Sequence, residues 1–153
     1  MDNITYKKID DEIFEKIISL FGEIVRSSIH LGEDDFSLVA LSDETPVGII
    51  SVQKKQLTDP LEKFYDALIS IVEVDEEFRR KGIGRHLVNQ AEEWAAKGGF
   101  SQIRAWSGKD KPDSIKMWQS LGYCMCPATI GFLLMERNSS YSSVDGYFVV
   151  KKL

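Results

Sequence analysis

Val72-Glu73-Val74-Asp75-Glu76-Glu77-Phe78-Arg79-Arg80-Lys81-Gly82-Ile83-Gly84 is the stretch on which the reading of this chain turns. It joins a strand to a helix through a basic, glycine-containing turn. Upstream, Phe64 to Val74 contains the mostly apolar run Ala67 to Val72, which reads as a central strand covered on both faces. Downstream, Ile83, Leu87, Val88, Ala91, Trp94 and Ala95 recur at helical spacing and form one stripe. That predicts a helix from Ile83 to Lys97, ended by Gly98-Gly99.

A helix start leaves several backbone N–H groups without intrahelical partners, and the macrodipole adds partial positive charge there. An anion at that end satisfies both. Gly82 and Gly84 remove the Cβ atoms that would hold a ligand away from those amides. Arg79, Arg80, Lys81 and Arg85 concentrate four of the 19 basic residues at the rim. The combination reads as a pyrophosphate grip. A Walker loop would need Gly-Lys-Ser/Thr, but Gly84 is followed by Arg85-His86. A dinucleotide fingerprint would end in Gly or Ala and follow a first strand. Here the matching position is Leu87 and several strands precede it.

Outward from the turn, Ile4 to Ile9 reads as a first strand. Asp10 or Asp11 caps a helix whose apolar set is Ile13, Phe14, Ile17, Ile18, Phe21, Ile24 and Val25. Phe36 to Leu41 and Val47 to Gln53 form a hairpin about a turn at residues 42–46. After the central helix come a strand from Gln102 to Trp106 and a helix opened by Pro112 or Asp113 and stopped by Gly122. Two strands follow, Tyr123 to Leu134 and Tyr147 to Lys152, with a polar loop from Asn138 to Gly146. This is a mixed α/β (α+β) chain with a largely antiparallel sheet, read as a single domain over residues 1–153.

The chain has 153 residues, enough to bury an ordinary core without metals or disulfides. Its net charge of −5 argues against a nucleic-acid partner and mildly favours cationic small molecules. The longest apolar runs fall well short of the roughly 20 residues of a membrane helix, and no secretory leader is visible. We therefore expect a cytoplasmic protein with no membrane partner. Cys124 and Cys126 share one strand face at a spacing near the outer limit for a disulfide, and read as reduced thiols near a core. No metal constellation is evident. A homodimer is left open.

The quoted stretch resembles the signature of the GCN5-related N-acetyltransferases, Arg/Gln-x-x-Gly-x-Gly/Ala after a strand ending in an apolar-x-Val. Arg79, Gly82 and Gly84 fill its defined places. The order of elements also matches that family along nearly the whole chain. The resemblance implies helices on both faces of the sheet and a split between its two central strands, with Ile103 to Ser107 as the far wall. It implies acetyl-CoA as co-substrate and a primary amine as acceptor. The backbone of Val72 and Val74 would pair with the pantetheine arm. The amides from Arg80 through Lys81, Gly82, Ile83 and Gly84 to Arg85 would cradle the pyrophosphate, with Arg79 at the mouth of the turn.

The chemistry needs the free amine. Deprotonating an alkylammonium of pKa about 10.4 at pH 7 costs roughly 4.6 kcal/mol. A placed base is worth about 10²- to 10⁴-fold. Glu73, between the two pantetheine residues, is the candidate catalytic base, with Glu62 and Asp66 as weaker ones. His30 reads as loop and His86 as a helix face. Many relatives place a Tyr in the late helix as proton donor to the thiolate. Here that position is Trp118, which can donate a hydrogen bond but not a proton near neutral pH. Trp118 is instead a candidate to line the pantetheine slot. Tyr123, Tyr65 and Tyr147 are substitute acids. An Asn that relatives carry earlier is Lys111. These departures make a non-catalytic acyl-CoA-binding module the alternative. The acidic set Glu33, Asp34 and Asp35 is a conceivable greeting for a polyamine, against the plainer reading of a solvated loop.

Overall fold

The structure, a computed structural model, describes residues 3–134 and 140–153, with side chains for 3–129 and 144–153. Contacts divide the chain into two compact units, Met1–Ile103 with Leu153, and Arg104–Lys152. Among the described residues, seven strands, mostly antiparallel where paired, and three α-helices give the mixed α/β class that the sequence predicts. No helix among the described residues is long and apolar enough to cross a membrane.

In the first unit, β1 (Ile4–Lys8), β2 (Phe36–Ser42), β3 (Thr45–Gln56) and β4 (Tyr65–Val74) lie side by side, each pair antiparallel. The β2–β3 turn is tighter than expected. Asp43 and Glu44, at φ 45° and 68°, form the two-residue corner, and the positive φ at both matches the twist of a hairpin. Helix α1 (Asp11–Phe21) covers one face of these strands. Its Ile13, Ile17 and Ile18 pack with Val39, Leu41 and Ile49. Helix α2 (Ile83–Lys97) covers the other, burying Ile83, Leu87, Val88, Ala91 and Ala95. Each of the isoleucine, leucine and valine side chains among them, fully buried, contributes about 1.5–3 kcal/mol.

The α1 stripe runs on in sequence through Ile24 and Val25, but the helix stops at Phe21. Gly22 takes φ 96°, and Glu23–Ser28 continues as a 3-10 turn. The tighter winding turns Val25 inward and leaves Ile24 85% exposed. Arg26 ties this turn back to α1 through Glu15 and also donates to Glu23 within the turn. Beyond it, His30 N–H donates to Ser51 Oγ at 2.8 Å, and Ser37 Oγ donates to the His30 carbonyl at 2.7 Å. The 2.8 Å contact between the two serine oxygens closes that ring. This is how a fully buried Ser51, at a β-bulge in β3, is satisfied.

In the second unit, β5 (Gln102–Gly108), whose first two residues belong to the first unit, is followed by α3 (Pro112–Ser120), β6 (Cys124–Leu134) and β7 (Ser140–Lys152). The strands run in the order β5-β7-β6, with β6 and β7 antiparallel. The loop expected from Asn138 to Gly146 is therefore strand from Ser140 onward, while Asn138 and Ser139 lie outside the described residues. Polar residues are compatible with a hairpin arm whose register is held by the backbone ladder, here Ala128 against Gly146 and Cys126 against Phe148. Gly146 allows a close approach, since a Cβ there would stand 2.4 Å from the Ser107 carbonyl oxygen. Asp145 accepts from Thr129 at 2.7 Å and pairs with Lys109 at 3.3 Å. The Thr129 bond, with Lys109 next, holds its carboxyl below the usual range. Cys124 and Cys126 are free, as expected, but exposed rather than near a core.

Candidate cofactor site

β4 delivers its C-terminal end to the turn with a fixed orientation. Asp75 N–H donates to the Val47 carbonyl at 2.9 Å. Strand alternation then points the Glu73 amide and carbonyl toward β3, and those of Val72 and Val74 the other way. Side chains alternate too. Ile71 packs on the α1 side of the strands, so Glu73, two residues on, projects to that same face. Glu73 is one-third exposed and accepts from Arg79 Nη2 at 3.3 Å.

Arg79 does a second job. Its Nε donates to the Val74 carbonyl at 3.0 Å. It thus bridges the strand end and the turn, a holding role rather than a mobile charge. Between them, Asp75 caps the short 3-10 turn Glu76–Phe78 by accepting from Glu77 N–H at 3.0 Å. Arg80 then takes φ 61°, a conformation unusual for a non-glycine residue. Lys81 lies over the Phe78 ring at 4.5 Å. Gly82 follows at φ 84° and ψ 0° as the N-cap of α2, where a left-handed backbone favours glycine.

Helix α2 therefore opens without a side-chain cap and without an acidic residue in its first turn. The first intrahelical bond is His86 N–H to the Gly82 carbonyl at 3.0 Å. The amides of Ile83, Gly84 and Arg85 precede it and have no intrahelical acceptor. Ile83 drives its side chain into the core, 2% exposed, while Gly84 is half-buried and Arg85 exposed. Gly48 on β3 makes this possible. A Cβ at Gly48 would come within 2.9 Å of Ile83 and 3.4 Å of Leu87. Sequence reasoning missed Gly48, Asp75 and the positive φ of Arg80. A glycine inside a strand pattern is the signal that marks the first, because it signifies close approach of another element.

The remaining candidates lie apart from the turn or inside packing. Tyr65 and Asp66 stand at the opposite end of β4, eight and seven residues before Glu73, so Tyr65 is about 26 Å away. Tyr65 is thus no substitute acid for chemistry at Glu73. Asp66 is buried and accepts from Gln102 Nε2 at 2.9 Å. Glu62 is exposed in the preceding loop. That end of the unit holds a cleft of about 670 Å³ whose lining includes Glu33, Asp34, Lys54, Phe64 and Trp94. The acidic loop therefore faces this cleft, with Asp34 on Lys54 at 3.6 Å and Asp35 accepting from the Lys54 amide at 3.0 Å. His86 stacks on Tyr6 with ring centroids 3.9 Å apart, and partial burial pushes the Tyr6 phenol above its usual range. Within the second unit, Trp118 is 2% exposed and meets Tyr123 edge-on at 4.8 Å.

This geometry agrees with what the chain is similar to. Residues 6–123 match the family model described as "Acetyltransferase (GNAT) family". An uncharacterised N-acetyltransferase of Methanocaldococcus jannaschii is 31% identical over 105 residues, which is 69% of this chain and 46% of that protein. The chain thus spans about half the length of that curated relative. Among solved structures, Arabidopsis thaliana NAA60 in complex with a bisubstrate analogue superposes with a TM-score of 0.74 at 14% identity, over 98% of each chain. A GCN5-related N-acetyltransferase from Kribbella flavida gives 0.69 at 21%, also over 98% of each. At such identities the structures speak to fold, and the sequence match speaks to descent. With the glycine turn, the uncapped helix start and a matched region covering most of its length, this chain belongs to the acetyltransferase (GNAT) family.

Proposed function

We propose that the chain is an acetyl-CoA-dependent N-acetyltransferase acting on a primary amine. The observation that carries this reading is the uncapped start of α2, with three amides lacking intrahelical acceptors, no acidic residue in the first turn, and four basic residues on or beside it. Such a terminus fits a pyrophosphate. The amides of Ile83, Gly84 and Arg85 would hold it, and Arg80, Lys81 and Arg85 would offset its charge. Val72 and Val74, turned away from β3, would pair with the pantetheine arm. Arg79 already donates to the Val74 carbonyl, which leaves the Val74 N–H as that residue's natural contribution.

Acetyl-CoA, when bound, supplies an acetyl thioester activated toward amines. Glu73 accepts the proton that the incoming ammonium must lose, on the face of β4 shared with α1. Arg79 fixes the Glu73 carboxylate at 3.3 Å and so sets its direction as well as the shape of the turn. Trp118, packed on Tyr123, supplies no proton. The acceptor class remains a primary amine of a small molecule or a protein. Arabidopsis thaliana Naa50, of similar fold at 17% identity and TM-score 0.70, was solved with the analogue CoA-Ac-MVNAL, so a peptide belongs in any acceptor panel.

The test is thiol release from acetyl-CoA with a panel of alkylamines, aminoglycosides, polyamines and peptides. Turnover with one class is expected. Saturating CoA, at about 100 times its Kd, should add roughly 2.7 kcal/mol of stability. That stabilisation without turnover on any amine would favour the non-catalytic CoA-binding reading. Stabilisation by NADH but not by CoA would refute both. Glu73→Gln should lower the rate by about 10²-fold or more and flatten its rise with pH. An unaltered pH profile removes Glu73 as base.

A further inference from the structure

β6 begins Cys124-Met125-Cys126, and both thiols are exposed and unlinked. Strand alternation sets them on one face, with Met125 on the other. Residues two apart on a strand have Cα atoms about 6.6 Å apart. That lies at the outer edge of the range a disulfide spans, whose sulfurs must close to about 2.05 Å. A metal bridge asks for less. Two thiolates, each about 2.3 Å from one ion and in line, leave their sulfurs about 4.6 Å apart. Parallel cysteine side chains at this spacing reach that separation by leaning together about 1 Å each.

The surroundings select the ion. Among the described residues no group of three or more His, Cys, Asp or Glu side chains could hold a metal, so the pair offers two ligands and no third. Directly across the ladder, on the same face, stand Val150 and Phe148, which add no hard oxygen ligand. Zinc wants four ligands, whereas soft thiolates without oxygen or imidazole partners select copper(I). We propose that Cys124 and Cys126 form a two-coordinate bis-thiolate site for a soft monovalent d10 cation, copper(I) by its chemistry. On binding, each thiol loses one proton to solvent and each sulfur forms one bond to the metal. The metal enters and stays in the +1 state, so no oxidant or reductant is consumed. The weak bond from the Cys126 thiol to the Pro127 carbonyl, 3.7 Å long, is given up.

The fold supplies a local reporter. Trp106 on β5 meets the ring of Phe148 edge-on at 5.2 Å, and Phe148 lies opposite Cys126. With the order β5-β7-β6, Trp106 is two strand spacings from the thiols, about 9.6 Å. The intact chain is titrated anaerobically, without added thiol, against copper(I) held by bicinchoninate. We expect one copper withdrawn per monomeric chain, with quenching that Trp106→Phe reduces. C124S and C126S should each lower affinity by at least about 100-fold, with the circular dichroism spectrum and the CoA-induced thermal shift unchanged. Zinc held by a chelator of comparable strength should stay with the chelator. Two coppers per chain, full affinity in either single variant, copper found only in a dimer, or zinc held equally well would each overturn the proposal.

Discussion

Two helix starts in the same unit are built in opposite ways. α1 is closed by its own sequence. Asp10 accepts from Ile13 N–H at 2.9 Å, and Asp11 and Glu12 set negative charge against the dipole. α2 begins at a left-handed Gly82 with neither a capping side chain nor an acid in its first turn. α1 meets one of its first amides with its own side chain, and α2 has no such side-chain cap. A glycine in place of a capping side chain costs only about a few tenths of a kcal/mol. In α2 that cost is offset by packing of Ile83 and Leu87 over Gly48, which anchors the first turn without filling it. The proposed cofactor site sits at the helix start that lacks its own cap.

The contrast can be broken by substitution. The largest effect is expected from Gly84→Val, which puts a branched side chain where, on the proposed reading, the pyrophosphate would meet backbone. CoA affinity, read by calorimetry, should fall about 100-fold, or roughly 2.7 kcal/mol. Near-native affinity would dismiss the turn. A smaller loss, about tenfold, is expected from Gly82→Asp, because it gives α2 a carboxylate like that of α1 and sets it against the incoming anion. Removing the cap that α1 has should act on stability alone. Asp10→Ala should cost about 1 kcal/mol in chemical denaturation and leave CoA affinity unchanged. The smallest effect is expected from Gly48→Ala. It should displace the first turn of α2 by a few tenths of an ångström, lowering CoA affinity a few-fold while the secondary structure stays intact.

The same contrast explains what could be read in advance. The α2 start was legible because a left-handed turn and an open amide cluster demand glycine, and glycine is visible. The helix bounds from Ile83 to Lys97 followed from the apolar stripe and Gly98-Gly99. The end of α1 was missed because Ile24 and Val25 extend the helical spacing, and only the backbone of Gly22 shows the switch to a tighter turn. The strand from Ser140 was missed because polar residues carry no hydrophobic period, so only the β6–β7 register reveals it. Within the candidate site, Glu73 and the basic run were nameable from the sequence. The double use of Arg79 on Glu73 and Val74 was not, since it depends on how the turn folds back.

The most direct measurement is an amide NMR titration of the chain with CoA, comparing the two helix starts in one experiment. The account predicts saturable shifts for the amides of Ile83, Gly84 and Arg85, with those of Asp11, Glu12 and Ile13 unmoved. Equal shifts at both helix starts, or none between Gly82 and His86 while CoA binds elsewhere, would contradict it.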